Sequence, residues 1–348
     1  MVPMTEKIKV LVVDDSALMR QLITALLSRD PAIEVVGTAA DPYFARAKIK
    51  SLAPDVLTLD VEMPRMDGLT FLEKLMRAHP LPVLMVSALT EKGCETTLRA
   101  LELGAVDFVT KPRDVVERTS EIADELIEKV KAAAQAKIPA LRTPPPRPTG
   151  SVRLPDGSER VIVVAASTGG TEALRFFLTA LPADTPGIVI VQHMPELFTR
   201  AFAHRLDAAS AMRVREAVDG DRVLKGHALV APGNHHVAVD RDGAHYTVKV
   251  TKGPPVNHHR PSADVLFDSC AQVAGPQAVG IILTGMGADG ARGLLRLKQS
   301  GARTLAQDEE SSVVFGMPKA AIELGAVDQV LPLSELPAAL VAALTSRP

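Results

Sequence analysis

Short aliphatic runs that stop at a polar residue, each followed by a stretch with helical spacing, recur along this chain. In the first third the runs are Lys9–Val13, Glu34–Ala39, Val56–Asp60, Pro82–Ser87 and Asp107–Thr110. Helical patterns separate them. Ser16 can cap the first, whose Leu18, Leu22, Ile23, Leu26 and Leu27 share one face. Others cover Phe44–Leu52, ended by Pro54, then Leu69–Ala78, a segment through Leu103, and Val115–Ala134. Runs without polar alternation suit strands buried on both faces, which a parallel sheet between two helix layers provides. The expectation is a doubly wound, five-stranded parallel α/β domain.

The alternation then breaks. IPALRTPPPRPTGSVRLPDGSER, Ile138–Arg160, is proline-rich with little apolar content and reads as a semi-extended spacer. At 348 residues the chain has room for two domains. We place the first at 5–125, a linker at 126–155 and the second domain at 156–348. The second half resumes the alternation with strand candidates Val161–Ala166, Gly187–Gln192, Val279–Thr284 and Thr304–Gln307. Helix starts fall near Thr171, Glu196, Ser262, Asp289 and Ser312. Arg222–Val250 reads as a small antiparallel hairpin excursion with turns at PGN and DRDG. A second doubly wound, mostly parallel α/β domain follows.

Composition excludes several classes. Hydrophobic residues make up 47% and aromatics 3%, with no Trp, so the cores are aliphatic. A formal net charge of -2 argues against nucleic-acid binding through bulk basic charge. No run approaches the ~18 apolar residues of a membrane span, and MVPMTEKIKV is too charged for a signal peptide. Cys94 and Cys270 lie far apart and read as free thiols of a reducing compartment. A cytoplasmic protein without direct membrane insertion is expected.

In open α/β sheets ligands sit at the carboxyl ends of the strands. In the first domain those ends carry Asp14 and Asp15, Asp60, Ser87 and Lys111. Clustered carboxylates repel unless a cation joins them, and hard oxygen ligands suit Mg²⁺. A lysine and a hydroxyl beside them can receive a phosphoryl group. VVDDS, LDVEMPRMDG, VSAL and FVTKP carry this pattern, and across residues 7–130 it resembles the receiver domain of bacterial response regulators. The resemblance implies that Asp60 accepts a phosphoryl group from a chemotaxis histidine kinase. It also implies Mg²⁺ on Asp14, Asp15 and Asp60, phosphoryl contacts from Ser87 and Lys111, and a switch ring at Phe108.

In the second domain VVAASTGGTEAL places Ser167 at the end of a strand candidate and follows it with Gly169 and Gly170. His193 and Asp289 also follow strand candidates. A serine needs a base to take its proton, and a carboxylate fixes the imidazole tautomer, so the three satisfy the chemistry of a serine hydrolase. The Gly285-Met286-Gly287 loop can aim N–H groups at an oxyanion. A rival reading stays open on these residues. Gly285, Gly287 and Gly290 form G-x-G-x-x-G between a strand and a helix, with Asp308, Glu309 and Glu310 about 20 residues on, which mimics a dinucleotide fingerprint. The pairs His235–His236 and His258–His259 lack further ligands at metal spacing and read as structural or substrate-orienting.

ASTGGTEAL, QHMPELFTRAFAHRLD, APGNHH, NHHRPSADVLFDS, LTGMGADGARGL and AQDEESSVVFGMPKAA together resemble the catalytic domain of the chemotaxis protein-glutamate methylesterase (CheB) family. The resemblance implies Ser167 as nucleophile, His193 as general base and acid, Asp289 as its orienter and the Met286 N–H as oxyanion donor, with no cofactor for hydrolysis. It implies hydrolysis of glutamate methyl esters on methyl-accepting chemotaxis receptors, and deamidation of receptor glutamines by the same acyl transfer. Receiver phosphorylation would activate the enzyme.

Overall fold

The computed structural model describes residues 6–111, 119–137 and 160–345. It divides into two compact units, Met1–Leu141 and Arg142–Pro348. In the first, β1 (Ile8–Val13), α1 (Ala17–Leu27), β2 (Ile33–Ala39), α2 (Pro42–Leu52), β3 (Val56–Asp60), α3 (Gly68–Ala78), β4 (Val83–Ser87), α4 (Glu91–Glu102), β5 (Asp107–Thr110) and α5 (Thr119–Gln135) alternate without exception. The five strands form one sheet in the order β2-β1-β3-β4-β5, every pairing parallel. Strands β3 and β4 are buried along their whole length, as their mostly aliphatic sequences favour. Side chains start the helices: Ser16, Asp41, Asp67 and Thr90 each accept a hydrogen bond from a first-turn N–H.

Helix α5 runs ten residues past the boundary set at 125. Its buried Ala123, Leu126, Val130 and Ala133 recur at helical spacing, so the apolar stripe continues and the helix with it. The proline-rich spacer lies outside the described residues, apart from Arg160.

The second unit contains β6 (Val161–Ala166), α6 (Gly170–Thr179), β7 (Ile188–Gln192), α7 (Phe198–Ala209), β8 (Arg213–Glu216), β9 (His227–Val230), β10 (His236–Asp242), β11 (His245–Thr251), α8 (Ala263–Val273), β12 (Ala278–Ile282), α9 (Ala291–Gln299), β13 (Arg303–Gln307), α10 (Met317–Glu323), β14 (Gln329–Leu331) and α11 (Leu336–Thr345). Seven strands pair in the order β14-β13-β12-β6-β7-β9-β8, all parallel. The antiparallel pair β10–β11 stands apart.

The hairpin is therefore smaller than expected. Within Arg222–Val250, the run at His227–Val230 ends in three buried apolar residues and enters the parallel sheet as β9. Only the DRDG segment turns a hairpin, with Gly243 at φ 59. The PGN segment, Pro232–Asn234, is instead the loop after β9. The helix expected near Ser312 begins at Met317, because Gly316 and Met317 both donate to Gly285 O and hold the preceding segment as a loop.

Candidate functional sites

The first site lies where the direction of winding reverses, between β1 and β3. Asp14 and Asp60 are buried there, and Lys111 Nζ stands 3.0 Å from Asp14 Oδ2 and 2.7 Å from Asp60 Oδ2. Lys111 is held in place by its own N–H, which donates to Ser87 O at 2.7 Å. Ser87 is fully buried, and its hydroxyl makes only long contacts, 3.4 Å to Ala88 O and Gly93 O. Burial pushes the Asp60 carboxyl up to about 6, aided by the Asp14 charge and opposed by Lys111. Burial works against the charged Lys111, but Asp60 and Asp14 outweigh it and raise its pKa.

Oxygens of Asp14, Asp15 and Asp60 come within 4.8 Å of one another, the one group among the described residues able to hold a metal ion. Three carboxylates against one ammonium leave negative charge uncompensated. An all-oxygen donor set with that charge fits a hard divalent cation. Phe108 is buried three residues before Lys111, and Lys129 Nζ lies 5.1 Å from its ring centroid while donating to its carbonyl at 2.6 Å.

The second site occupies the equivalent switch point of the larger sheet. Strands β12, β6 and β7 are neighbours in that order, and Asp289, Ser167 and His193 follow them. One backbone bond and one side chain fix the spacing of serine and histidine: His193 N donates to Ala166 O at 3.1 Å, and the Gln192 side-chain amide Nε2 donates to Ser167 O at 2.9 Å. His193 Nε2 lies 2.8 Å from Asp289 Oδ2. Its other ring nitrogen, Nδ1, is buried without a hydrogen-bond partner. Serine and histidine thus follow neighbouring strands without a hydrogen bond between their side chains.

Asp289 is almost wholly enclosed. It accepts from Asn257 Nδ2, Ser262 Oγ and the Ala263 N–H, at 2.7, 2.7 and 2.6 Å. Burial alone would raise its pKa. The hydrogen bond and charge of His193, with Asn257 and Ser262, outweigh that and hold the carboxyl below the usual range. It therefore stays ionised and keeps the Nε2 proton on His193.

The glycines have identifiable tasks. Gly169 takes φ 76 at the start of α6, and a methyl group there would meet Val313 Cβ at 2.5 Å. A methyl group on Gly170 would meet Gln192 Oε1 at 2.2 Å, and one on Gly285 would lie 2.8 Å from Ser167 Cβ. Gly285 thus passes against the serine, and Met286 follows it; its N–H takes no part in the backbone hydrogen bonds of the loop. The third glycine of the fingerprint, Gly290, is closed in by Ala263, 2.8 Å from where its methyl group would be. Asp289 is engaged with His193, and Asp308 caps Ser311. Gly285, Gly290, Asp289 and Asp308 are thus occupied within the protein itself.

Sequence reasoning missed the shell around this trio. Asn257, Ser262 and Asp264 come from NHHRPSAD, where no periodicity reveals that the segment folds back over the β12 end. His259 proves to stack on His193, with ring centroids 3.8 Å apart and planes 12° from parallel. His236 is structural: Nε2 meets Pro254 O at 2.9 Å, and Nδ1 accepts from Ser262 N at 3.2 Å.

An acid-and-lysine pocket on one parallel α/β unit, and a serine beside a carboxylate-bound histidine on another, define a receiver joined to a carboxylic ester hydrolase. Family comparison agrees: residues 10–123 match the response regulator receiver domain and residues 162–340 match the CheB methylesterase. The chain is 57% identical to a "Protein-glutamate methylesterase/protein-glutamine glutaminase 1" of Geobacter metallireducens, over 99% of this chain and 98% of that one. A protein of the same name from Xanthomonas campestris is 56% identical over 96% of this chain and 97% of its own. The crystal structure of the Thermotoga maritima CheB methylesterase catalytic domain superposes with TM-score 0.52 at 38% identity, covering 53% of this chain and 97% of that domain. The chain belongs to the CheB methylesterase family, with the receiver domain at its N-terminal side. Among the described residues no helix is long and apolar enough to cross a membrane.

Proposed function

We propose that this protein hydrolyses glutamate methyl esters on methyl-accepting chemotaxis receptors, and deamidates receptor glutamines, at Ser167, His193 and Asp289. The observation that carries the reading is the His193 ring: Nε2 is fixed on Asp289 at 2.8 Å while buried Nδ1 is left unengaged beside the strand end that bears Ser167. His193 Nδ1 takes the Ser167 Oγ proton as Oγ attacks the ester carbonyl carbon. The carbonyl oxygen becomes an oxyanion facing the Met286 N–H, a donor type worth about 2.7–4 kcal/mol in the transition state. The C–O bond breaks, and methanol leaves with the proton from His193. Water then attacks the acyl-serine, giving a proton to His193, which passes it to Ser167 Oγ as the Oγ–acyl bond breaks and the receptor's glutamate side chain is released. With glutamine the leaving group is ammonia. Asp289 keeps Nε2–H in place throughout and stabilises the imidazolium. No cofactor takes part.

In the receiver, Asp60 accepts a phosphoryl group from the chemotaxis histidine kinase, and Ser87 and Lys111 take the phosphoryl oxygens. Mg²⁺ on Asp14, Asp15 and Asp60 supplies charge neutralisation when bound. Phe108 reports the phosphorylated state by its rotamer. The setting is the cytoplasm, where receptor tails and kinase meet, and residues 126–155 include the linker that couples the two units. Methanol release from methylated receptor, with and without a small-molecule phosphodonor, tests this function. Release stimulated by the donor supports it; no release in either condition would overturn it.

A further inference from the structure

Asp289 holds the His193 ring by one edge only, through Nε2. A single edge contact lets an imidazole pivot, because the torsion that turns the ring is broad. The face of the ring is covered by His259, 3.8 Å away and 12° from parallel.

The chain builds that cover at conformational cost. His259 closes a tight turn with Val256, in which His259 N donates to Val256 O at 2.9 Å and Val256 N donates to His259 O at 3.0 Å. The two residues between them, Asn257 and His258, both take left-handed backbone, at φ 51 and 65. Such conformations persist in non-glycine residues where the surroundings over-determine them. Those surroundings are present. Asn257 Nδ2 ties the turn to Asp289 Oδ1 and to Asp264 Oδ2, each at 2.7 Å. Arg260, next in the chain, reaches Asn234 Oδ1 at 3.0 Å and Gly253 O at 2.6 Å. The carboxylate that fixes the edge of His193 therefore also anchors the turn that covers its face.

We infer that His259 is a positioning residue of ester hydrolysis. Its ring keeps the imidazole of His193 in the plane that presents Nδ1 to Ser167, and its π face accommodates the imidazolium formed when His193 takes the serine proton. The inference rests on His193 being the general base. It assigns His259 no contact with substrate, so its loss should lower kcat far more than it changes KM.

The experiment is methanol release by the full-length chain on methylated receptor with acetyl phosphate, for His259→Ala, His259→Phe and His259→Gln. Loss of positioning by about 1 Å costs on the order of 10²-fold in rate. His259→Ala should lose kcat on that scale with KM little changed. Phe, a flat ring without nitrogen, should recover most of it, whereas Gln, which can hydrogen-bond but not stack, should not. A kcat for His259→Ala near wild type would overturn the inference, as would Gln restoring kcat as well as Phe does. Should the Ala variant fail to fold, the comparison of Phe with Gln decides. Ser167→Ala is run alongside: an active Ser167→Ala variant removes the hydrolase assignment itself, while an inactive one beside a normal His259→Ala removes only the role of His259.

Discussion

Two residues at helix starts in the catalytic unit share a left-handed backbone but differ in chemistry. Gly169 has φ 76 and no room for a methyl group, with Val313 Cβ at 2.5 Å. Gly169→Ala should combine backbone strain with overpacking, costing about 1–3 kcal/mol. Leu197 has φ 74 and a side chain 42% exposed. Leu197→Gly relieves strain but gives up the buried half of the side chain, so its net effect should stay within about 1 kcal/mol of neutral. Denaturant unfolding of the two variants checks both expectations. At this scale the sequence was informative where a candidate site residue directly follows an aliphatic run, as Ser167 and His193 do, and less so for Asp289, seven residues past the end of β12. It read His259 only as structural or substrate-orienting and did not reveal its stacking on His193 or the tie of Asn257 to Asp289, which come from an irregular segment folding back, and it did not announce the φ of Leu197.

At the scale of elements, the candidate site residues of both units lie at or after the carboxyl ends of strands. Asp60 ends β3 opposite Val86, one residue before Ser87, and Lys111 N reaches back to Ser87 O. The three carboxylates, the hydroxyl and the ammonium thus all come from strand ends or from the residues that directly follow them. Asp60→Asn should abolish phosphoryl uptake from a labelled donor and remove donor stimulation, while leaving the unstimulated rate of methanol release as it was. Acid-labile label persisting in the variant would place the acceptor elsewhere. Central buried strands were legible because nothing but a parallel sheet covers both faces of VLTLD or VIVVAA. Edges were harder. β8 and β14 are four and three residues long and partly exposed, too short to show a period. β9 looked like half of a hairpin because turn residues flank it, and its three buried apolar residues decided otherwise.

At the scale of the molecule, two units of one architecture divide the labour: one takes a phosphoryl group, the other hydrolyses an ester. The seven-stranded unit closes its own core around Leu266, Phe267, Leu294 and Leu297. A fragment starting near Ser151 should therefore fold. If the receiver restrains the enzyme until Asp60 is phosphorylated, the fragment should release methanol faster than the full-length chain without phosphodonor. Equal or slower release from a folded fragment would mean that phosphorylation contributes something positive instead of lifting a block. The central claim is narrower and more directly tested, since everything proposed for the second unit passes through one hydroxyl. In the full-length chain with phosphodonor, Ser167→Ala should lower methanol release from methylated receptor on the order of 10⁴–10⁶-fold, while the variant still folds and still takes a phosphoryl group on Asp60. Release within tenfold of wild type would contradict the account.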